Sequence, residues 1–164
     1  MTRLQLLGAT ALLLTGTLAH AETCKMTIEG NDMMQFNLHE ISVPSSCTEV
    51  ELTLKHAGQM QAKVMGHDWV LAKTSDVSGV VNAGMAAGFT RGYLPEGDKR
   101  IIAATRVIGG GESASVKFST SALQEGVSYS FFCTTPGHAS VMRGRLVFGD
   151  TKRLAQAGKQ PTGK

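Results

Sequence analysis

Phe132-Cys133-Thr134-Thr135-Pro136-Gly137-His138-Ala139-Ser140-Val141-Met142-Arg143 is the stretch on which the reading of this chain turns. It holds a thiol, an imidazole and a thioether at offsets of five and nine. On a helix, at about 100° per residue, the three side chains would point near 0°, 140° and 180°. Pro136-Gly137 would break that helix in any case. A tight loop between two strands can turn all three inward. The flanks supply those strands: Tyr129 to Phe132 leads in, and Arg143 to Phe148 leads out with Leu146 and Phe148 on one face. Soft thiolate and thioether donors beside an imidazole suit copper. One further histidine would complete the His₂Cys set with a weak axial Met that belongs to blue-copper sites.

Working outward, the chain keeps the same texture. Cys24 to Glu29 alternates, with Met26 and Ile28 apolar, and Gly30-Asn31-Asp32 marks a turn. Phe36, Leu38 and Ile41 suggest a second strand, ended by Pro44-Ser45-Ser46. Val50, Leu52 and Leu54 alternate with Glu51, Thr53 and Lys55, the pattern of a half-buried strand. Ala57 to Lys63 is expected as a loop. Trp69 to Leu71, Ile101 to Ala104, Arg106 to Ile108 and Val116 to Phe118 are further strand pieces. Ser75 to Gly88, rich in Ala, Gly, Val and Met, is the one expected helix. About eight short strands at regular spacing, with one helix, predict an antiparallel β-sandwich. Gly109-Gly110-Gly111 is a turn and not a phosphate loop, since no Gly-Lys-Ser/Thr follows.

The ends have their own character. Met-Thr-Arg precedes an apolar run from Leu4 to Leu18, and Ala19-His20-Ala21 is a small-x-small cleavage site. This predicts a secretory signal peptide over 1–21, cleaved after Ala21, and hence a periplasmic protein with no membrane insertion afterwards. His20 would leave with the signal. The domain is expected over 22–149. Residues 150–164, with four basic residues and one acid, are expected to be a disordered extension. The formal charge of the whole chain is only +3, and much of it lies in that tail. No clustered basic face for nucleic acid is indicated.

Three cysteines leave one over in an oxidising compartment. Cys24 and Cys47, 23 positions apart and both bordering strand-like segments, are the expected pair. Cys24–Cys133 or Cys47–Cys133 is the alternative, and either would destroy the metal site. For the second imidazole, His39 lies in a polar segment. His56 ends a strand before Ala57-Gly58. His67 sits in Val64-Met65-Gly66-His67-Asp68-Trp69, where Gly66 allows close backbone approach and apolar neighbours would shield a metal. Local context favours His67 over His56.

At this point a resemblance becomes specific. Val64-Met65-Gly66-His67-x-Trp69-Val70 and Phe131-Phe132-Cys133-Thr134-x-Pro136-Gly137-His138-x-x-x-Met142 resemble the azurins, bacterial cupredoxins. Glu29-Gly30-Asn31-Asp32, Met34-Gln35-Phe36, Gly84-Met85-Ala86 and Ile108-Gly109-x-Gly111-Glu112 match as well, so the likeness runs from about Thr23 to Phe148. The resemblance implies an all-β Greek-key sandwich or barrel, cupredoxin-like, with a short helix outside it. It implies one copper per chain, bound by His67, Cys133 and His138 in a near-trigonal plane, with Met142 axial through sulfur and the Gly66 carbonyl oxygen opposite. It matches Cys24–Cys47 to the family disulfide, His56 to a nearby histidine that is not a ligand, and Trp69 to a core residue. The implied activity is one-electron transfer with redox proteins such as a c-type cytochrome or a periplasmic reductase or oxidase. A monomer is expected, docking through Met34, Met60, Met65, Pro136, Gly137 and Val141.

Two positions depart from the family. Azurins usually carry Asn where this chain has Asp68, and Phe where it has Thr135. An ionised Asp cannot donate the hydrogen bonds by which Asn ties the ligand loops together, and Thr135 removes an aromatic from beside the copper. Two other function classes stay in view. Cys133 with a histidine could be a nucleophile and base, though Met142 has no role there. A copper-binding or delivery protein would use the same donors.

Overall fold

Alternation between buried and less buried residues builds the centre of the molecule. The computed structural model describes residues 22–150; the expected signal segment and all of the C-terminal extension but Asp150 lie outside them. Strand β3 (Cys47–His56) buries Val50, Leu52 and Leu54 completely, while Thr53 and Lys55 face outward. It pairs on one side with β1 (Glu22–Gly30) and on the other with β6 (Ser113–Ser119), forming a three-stranded sheet. The second sheet has five strands in the order β2-β8-β7-β4-β5, comprising β2 (Glu40–Pro44), β4 (Val70–Lys73), β5 (Ile101–Ala104), β7 (Tyr129–Phe132) and β8 (Arg143–Gly149). The two sheets close over Ile28, Phe36, Leu52, Trp69, Phe118, Phe131 and Leu146. The result is an eight-stranded β-sandwich, as expected.

The pairing is not purely antiparallel. β1 runs parallel to β3, and β2 runs parallel to β8. The chain passes from one sheet to the other at β2 and back at β3, so β1, β2 and β3 do not pair in sequence order, whereas β4–β5 and β7–β8 do. Side-chain alternation specifies which face is buried and says nothing of strand direction.

Strand β4 buries Val70, Leu71 and Ala72 alike, because its sheet is covered on both faces. Leu71 belongs to the inter-sheet core. Val70 and Ala72 form a second cluster with Phe132 and with Val80 of helix α2 (Val77–Ala87), which lies outside the sandwich. A 3₁₀ turn, Thr74–Asp76, leads into that helix, so the helical stretch falls where expected.

Three segments differ from expectation. Ala62–Met65, at the end of the presumed loop, forms one helical turn, α1. Arg106 to Ile108 is not a strand, since only Ile108 bridges, to His67. The second strand starts at Glu40; Phe36 makes a single bridge to Gly30, and Leu38 is exposed.

Cys24 and Cys47 are joined, with Cα atoms 5.7 Å apart, and tie β1 to β3. Cys133 is left as the free, buried cysteine, so neither alternative pairing occurs. Closing a loop of 23 residues stabilises the fold by about 3 kcal/mol in the chain-entropy account.

Candidate metal centre

The site lies at one end of the sandwich, where strand ends and their loops converge. β7 and β8 are antiparallel neighbours, with Phe132 opposite Arg143. The loop they leave between them runs from Cys133 to Met142. Its two ends are held together by the Cys133 N–H donating to the Met142 carbonyl at 3.1 Å. Gly137, at φ 84°, takes the left-handed conformation that turns the chain back. A 3₁₀ turn over His138–Ser140 follows, and the Met142 N–H donates to the His138 carbonyl at 2.7 Å. The backbone of the loop is therefore closed on itself before any metal is considered.

His67 arrives from the other side, between α1 and β4. Its backbone exchanges two hydrogen bonds with Ile108, at 3.0 and 2.8 Å. Gly66 precedes it, and the absence of a side chain there is steric in origin: a Cβ would lie 2.3 Å from the Ala62 carbonyl oxygen and 2.6 Å from Val107 Cγ1.

These two segments bring three donors together. His67 Nδ1 and His138 Nδ1 are 3.2 Å apart, His138 Nδ1 is 3.5 Å from Cys133 Sγ, and His67 Nδ1 is 4.0 Å from that sulfur. All three residues are buried. A point equidistant from the three atoms lies about 2.1 Å from each, an ordinary bond length from a first-row metal to nitrogen and close to one to sulfur. The His67 Nε2–H donates to the Asn31 carbonyl at 2.8 Å, which fixes the tautomer and leaves the Nδ1 lone pair facing the other donors.

Electrostatics favour a metal over protons. Burial pushes the His67 imidazole down to about 4, against the opposing pull of the Asn31 carbonyl, and lowers His138 too. Both imidazoles are neutral at pH 7, with lone pairs free to bind a metal. Burial raises the Cys133 thiol well above its usual range, and the Asp68 carboxylate raises it further. A reactive nucleophile needs the opposite shift and an accessible sulfur, so the thiol-enzyme reading fails on both counts. A bound cation is what makes a thiolate tenable in such a place.

His56 is close but otherwise engaged. Its ring stacks on that of His67 at 4.5 Å between centroids. Its Nδ1 accepts from the Gly58 N–H at 3.1 Å, and its Nε2 is 2.8 Å from the Met65 carbonyl. Both nitrogens are used, and it is the His67 ring, not this one, that groups with Cys133 and His138. His39 is exposed on the surface.

Met142 is fully buried. A Cβ on Gly30 would lie 2.7 Å from Met142 Cε and 2.9 Å from His67 Cδ2, so the thioether end and the imidazole press against the same backbone point. Gly30, read in the sequence as part of a turn and of a stretch that matches the family, thus packs against the site. Its signal in the sequence is the Gly-Asn-Asp turn, and nothing local to that turn reveals what packs against it.

The two departures from the family both prove to be structural ties. Asp68 is buried, and its carboxylate accepts from the Thr134 N–H at 2.7 Å and from the Thr134 hydroxyl. The loops are joined with Asp68 as acceptor, so the lost donors of an Asn are replaced from the opposite side. Burial pushes the Asp68 carboxyl up to about 6, against the pull of those two donors. Thr135 donates its hydroxyl to the Gly66 carbonyl at 2.8 Å. That same oxygen lies 4.0 Å from Cys133 Sγ.

Of the expected docking residues, Met60, Pro136, Gly137 and Val141 are exposed, while Met34 and Met65 are half-buried. Met33 (68%) and Val64 (67%) are more exposed than either. Val64 therefore shields no metal, contrary to the sequence reading of its segment. Among the described residues no helix is long and apolar enough to cross a membrane.

Comparison with known proteins agrees with this geometry. The sequence profile of copper binding proteins of the plastocyanin/azurin family matches residues 22–149. An azurin of Pseudomonas aeruginosa is 48% identical over 145 residues, spanning 87% of this chain and 97% of the relative. An azurin of Achromobacter denitrificans is 50% identical over 126 residues, spanning 77% and 85%. Among solved structures, an azurin (Az-iso2) from the methylotroph Methylomonas sp. strain J superimposes with a TM-score of 0.74 at 46% identity, covering 76% of this chain and 97% of that one. With a buried His₂Cys triangle at the end of an eight-stranded sandwich, and a profile match from Glu22 to Gly149, the chain belongs to the plastocyanin/azurin family of copper-binding proteins.

Proposed function

We propose that this chain is an exported blue-copper electron carrier in which His67, Cys133 and His138 hold a single copper ion, with Met142 sulfur and the Gly66 carbonyl oxygen as weaker donors. The observation that supports it above all others is the buried triangle of Nδ1, Nδ1 and Sγ, of a size that one metal ion fills. Copper supplies a centre that takes up and gives back one electron while staying in the same ligand set. The protein's part is to hold that set still. The ligand loop is closed by the Cys133–Met142 backbone bond, His67 is fixed by its bridge to Ile108, and Asp68 and Thr135 lock one loop to the other. Ligands held this way cannot rearrange much when the charge changes.

The domain is assigned to 22–149, with a signal peptide over 1–21 cleaved after Ala21 and a basic extension over 150–164; the compartment is the periplasm. Partners are redox proteins such as a c-type cytochrome or a periplasmic reductase or oxidase. They dock transiently on the adaptable methionine-rich surface that includes Met34, Met60, Met65, Pro136, Gly137 and Val141. The test is an absorption spectrum of the protein with one equivalent of Cu(II). An intense visible band that bleaches with ascorbate and returns in air is expected. A stoichiometry above one, or a bound copper with no reversible couple, would point instead to storage or delivery.

Asp68 sets a second expectation. Its carboxylate, hydrogen-bonded to the residue after Cys133, places negative charge beside the thiolate and favours Cu(II) over Cu(I). Asp68→Asn removes that charge and keeps the shape. The reduction potential of the variant is expected to rise by roughly 60 mV, a tenfold change in the preference between the two states, as measured by spectroelectrochemical titration. An unchanged or lowered potential would refute it.

A further inference from the structure

Thr134 and Thr135 follow Cys133, and their side chains reach the two residues that flank His67: Thr134 reaches Asp68, and Thr135 reaches Gly66. The first tie holds a side chain. The second ends on a backbone oxygen at the edge of the donor cluster, 4.0 Å from the Cys133 sulfur. A carbonyl oxygen has two lone pairs, and at Gly66 one of them is engaged by a hydroxyl at 2.8 Å. A hydrogen bond at that distance is fully formed and draws electron density away from whatever else the oxygen faces.

We propose that Thr135 is a positioning residue that holds the Gly66 carbonyl and weakens it as a metal donor, so that the site discriminates against ions needing a hard oxygen ligand and favours Cu(I). This rests on the copper reading of His67, Cys133 and His138. Carbonyl oxygen is a hard donor, suited to Cu(II) and Zn(II) more than to Cu(I). Blunting it destabilises the oxidised state relative to the reduced one. Thr135 is only half-buried, and its hydroxyl is the part that makes the contact, so the device depends on one oxygen atom and is separable from packing.

The test compares Thr135→Val, which keeps the β-branched shape and loses the hydroxyl, with Thr135→Ser, which keeps the hydroxyl. The wild-type protein is first loaded with copper and its visible band recorded, since a missing band there would overturn the copper reading itself, independently of any variant. Three readouts follow: reduction potential, Zn(II) affinity by competition with a chelator, and the position of the copper–thiolate band. Loss of one net hydrogen bond corresponds to about a threefold to tenfold change in an equilibrium constant. In Thr135→Val, the Cu(II) to Cu(I) affinity ratio is expected to rise by that factor, lowering the potential by up to about 59 mV for the tenfold case. Zn(II) should bind tighter by a similar factor, and the band should hold its position. Thr135→Ser should resemble the wild type in all three. An unchanged potential and Zn(II) affinity in Thr135→Val would overturn the proposal. So would a lowered potential with a displaced band and unaltered Zn(II) affinity, because the hydroxyl would then be acting through the Cys133 sulfur and not through the carbonyl.

Discussion

Cys133→Ser is expected to abolish the intense visible band of the copper-loaded protein and most of its affinity for copper, while leaving the apo fold standing. Cys133 is the one anionic donor in the triangle; His67 and His138, both held neutral by burial, cannot replace its charge. A serine hydroxyl does not ionise at neutral pH and is hard where Cu(I) requires soft ligands. The fold does not need the sulfur. The loop is closed by backbone groups, Cys133 N–H to Met142 and Met142 N–H to His138, and serine nearly matches cysteine in volume. Two measurements separate the claims. The absorption spectrum reports the thiolate. The rise in melting temperature on adding copper reports affinity, because a ligand at about 100 times its Kd stabilises the native state by about 2.7 kcal/mol. Both should vanish in the variant, with the apo melting temperature shifted by only a few degrees. A Cys133→Ser protein that still turned intensely blue would remove Cys133 from the site.

The ligand loop was legible because its donors, Cys133, His138 and Met142, fall in one short stretch. A thiol, an imidazole and a thioether around Pro136-Gly137, between two strand patterns, admit few arrangements, and the β7–β8 pairing presents them as expected. His67 was less so. From its neighbours it could only be preferred to His56, and the distinction lies in which ring groups through space with Cys133 and His138. Gly30 was invisible as a neighbour of the site, because what it must avoid, Met142 Cε and the His67 ring, is far away in the chain. Asp68 and Thr135 were visible as departures, but their effect could not be read. Whether an Asp breaks or makes a tie depends on which group faces it, and here that group is Thr134 with two donors. The strands were legible as faces and not as directions, which is why the parallel pairs β1–β3 and β2–β8 came only with the structure.

Trp69→Ala tests how far the site depends on the core beneath it. Trp69 is fully buried two residues after His67, between Phe118 and Phe131 at centroid distances of 6.2 and 6.1 Å. Truncating a buried Trp to Ala costs about 3–5 kcal/mol through lost transfer energy and the cavity left behind, a large share of a typical domain's stability. Thermal and denaturant unfolding of the apo protein should show that loss in full. Trp69→Phe should lose much less, since the indole Nε1–H has no hydrogen-bond partner among the described residues and its removal relieves a buried, unsatisfied donor. The copper site should respond quite differently. The backbone of Trp69 is fixed without the indole, its N–H donating to Thr105 Oγ1 and its carbonyl accepting from the Thr105 N–H, each at 3.0 Å. The His67–Ile108 bridge holds the next turn of the same loop. Copper-loaded Trp69→Ala should therefore unfold far more easily and yet keep the wild-type band position until it does. If the band moves while the protein is still folded, the packed core and not the backbone bridges sets the ligand geometry, and the rigidity assigned above to the two loops would have to be assigned to the indole.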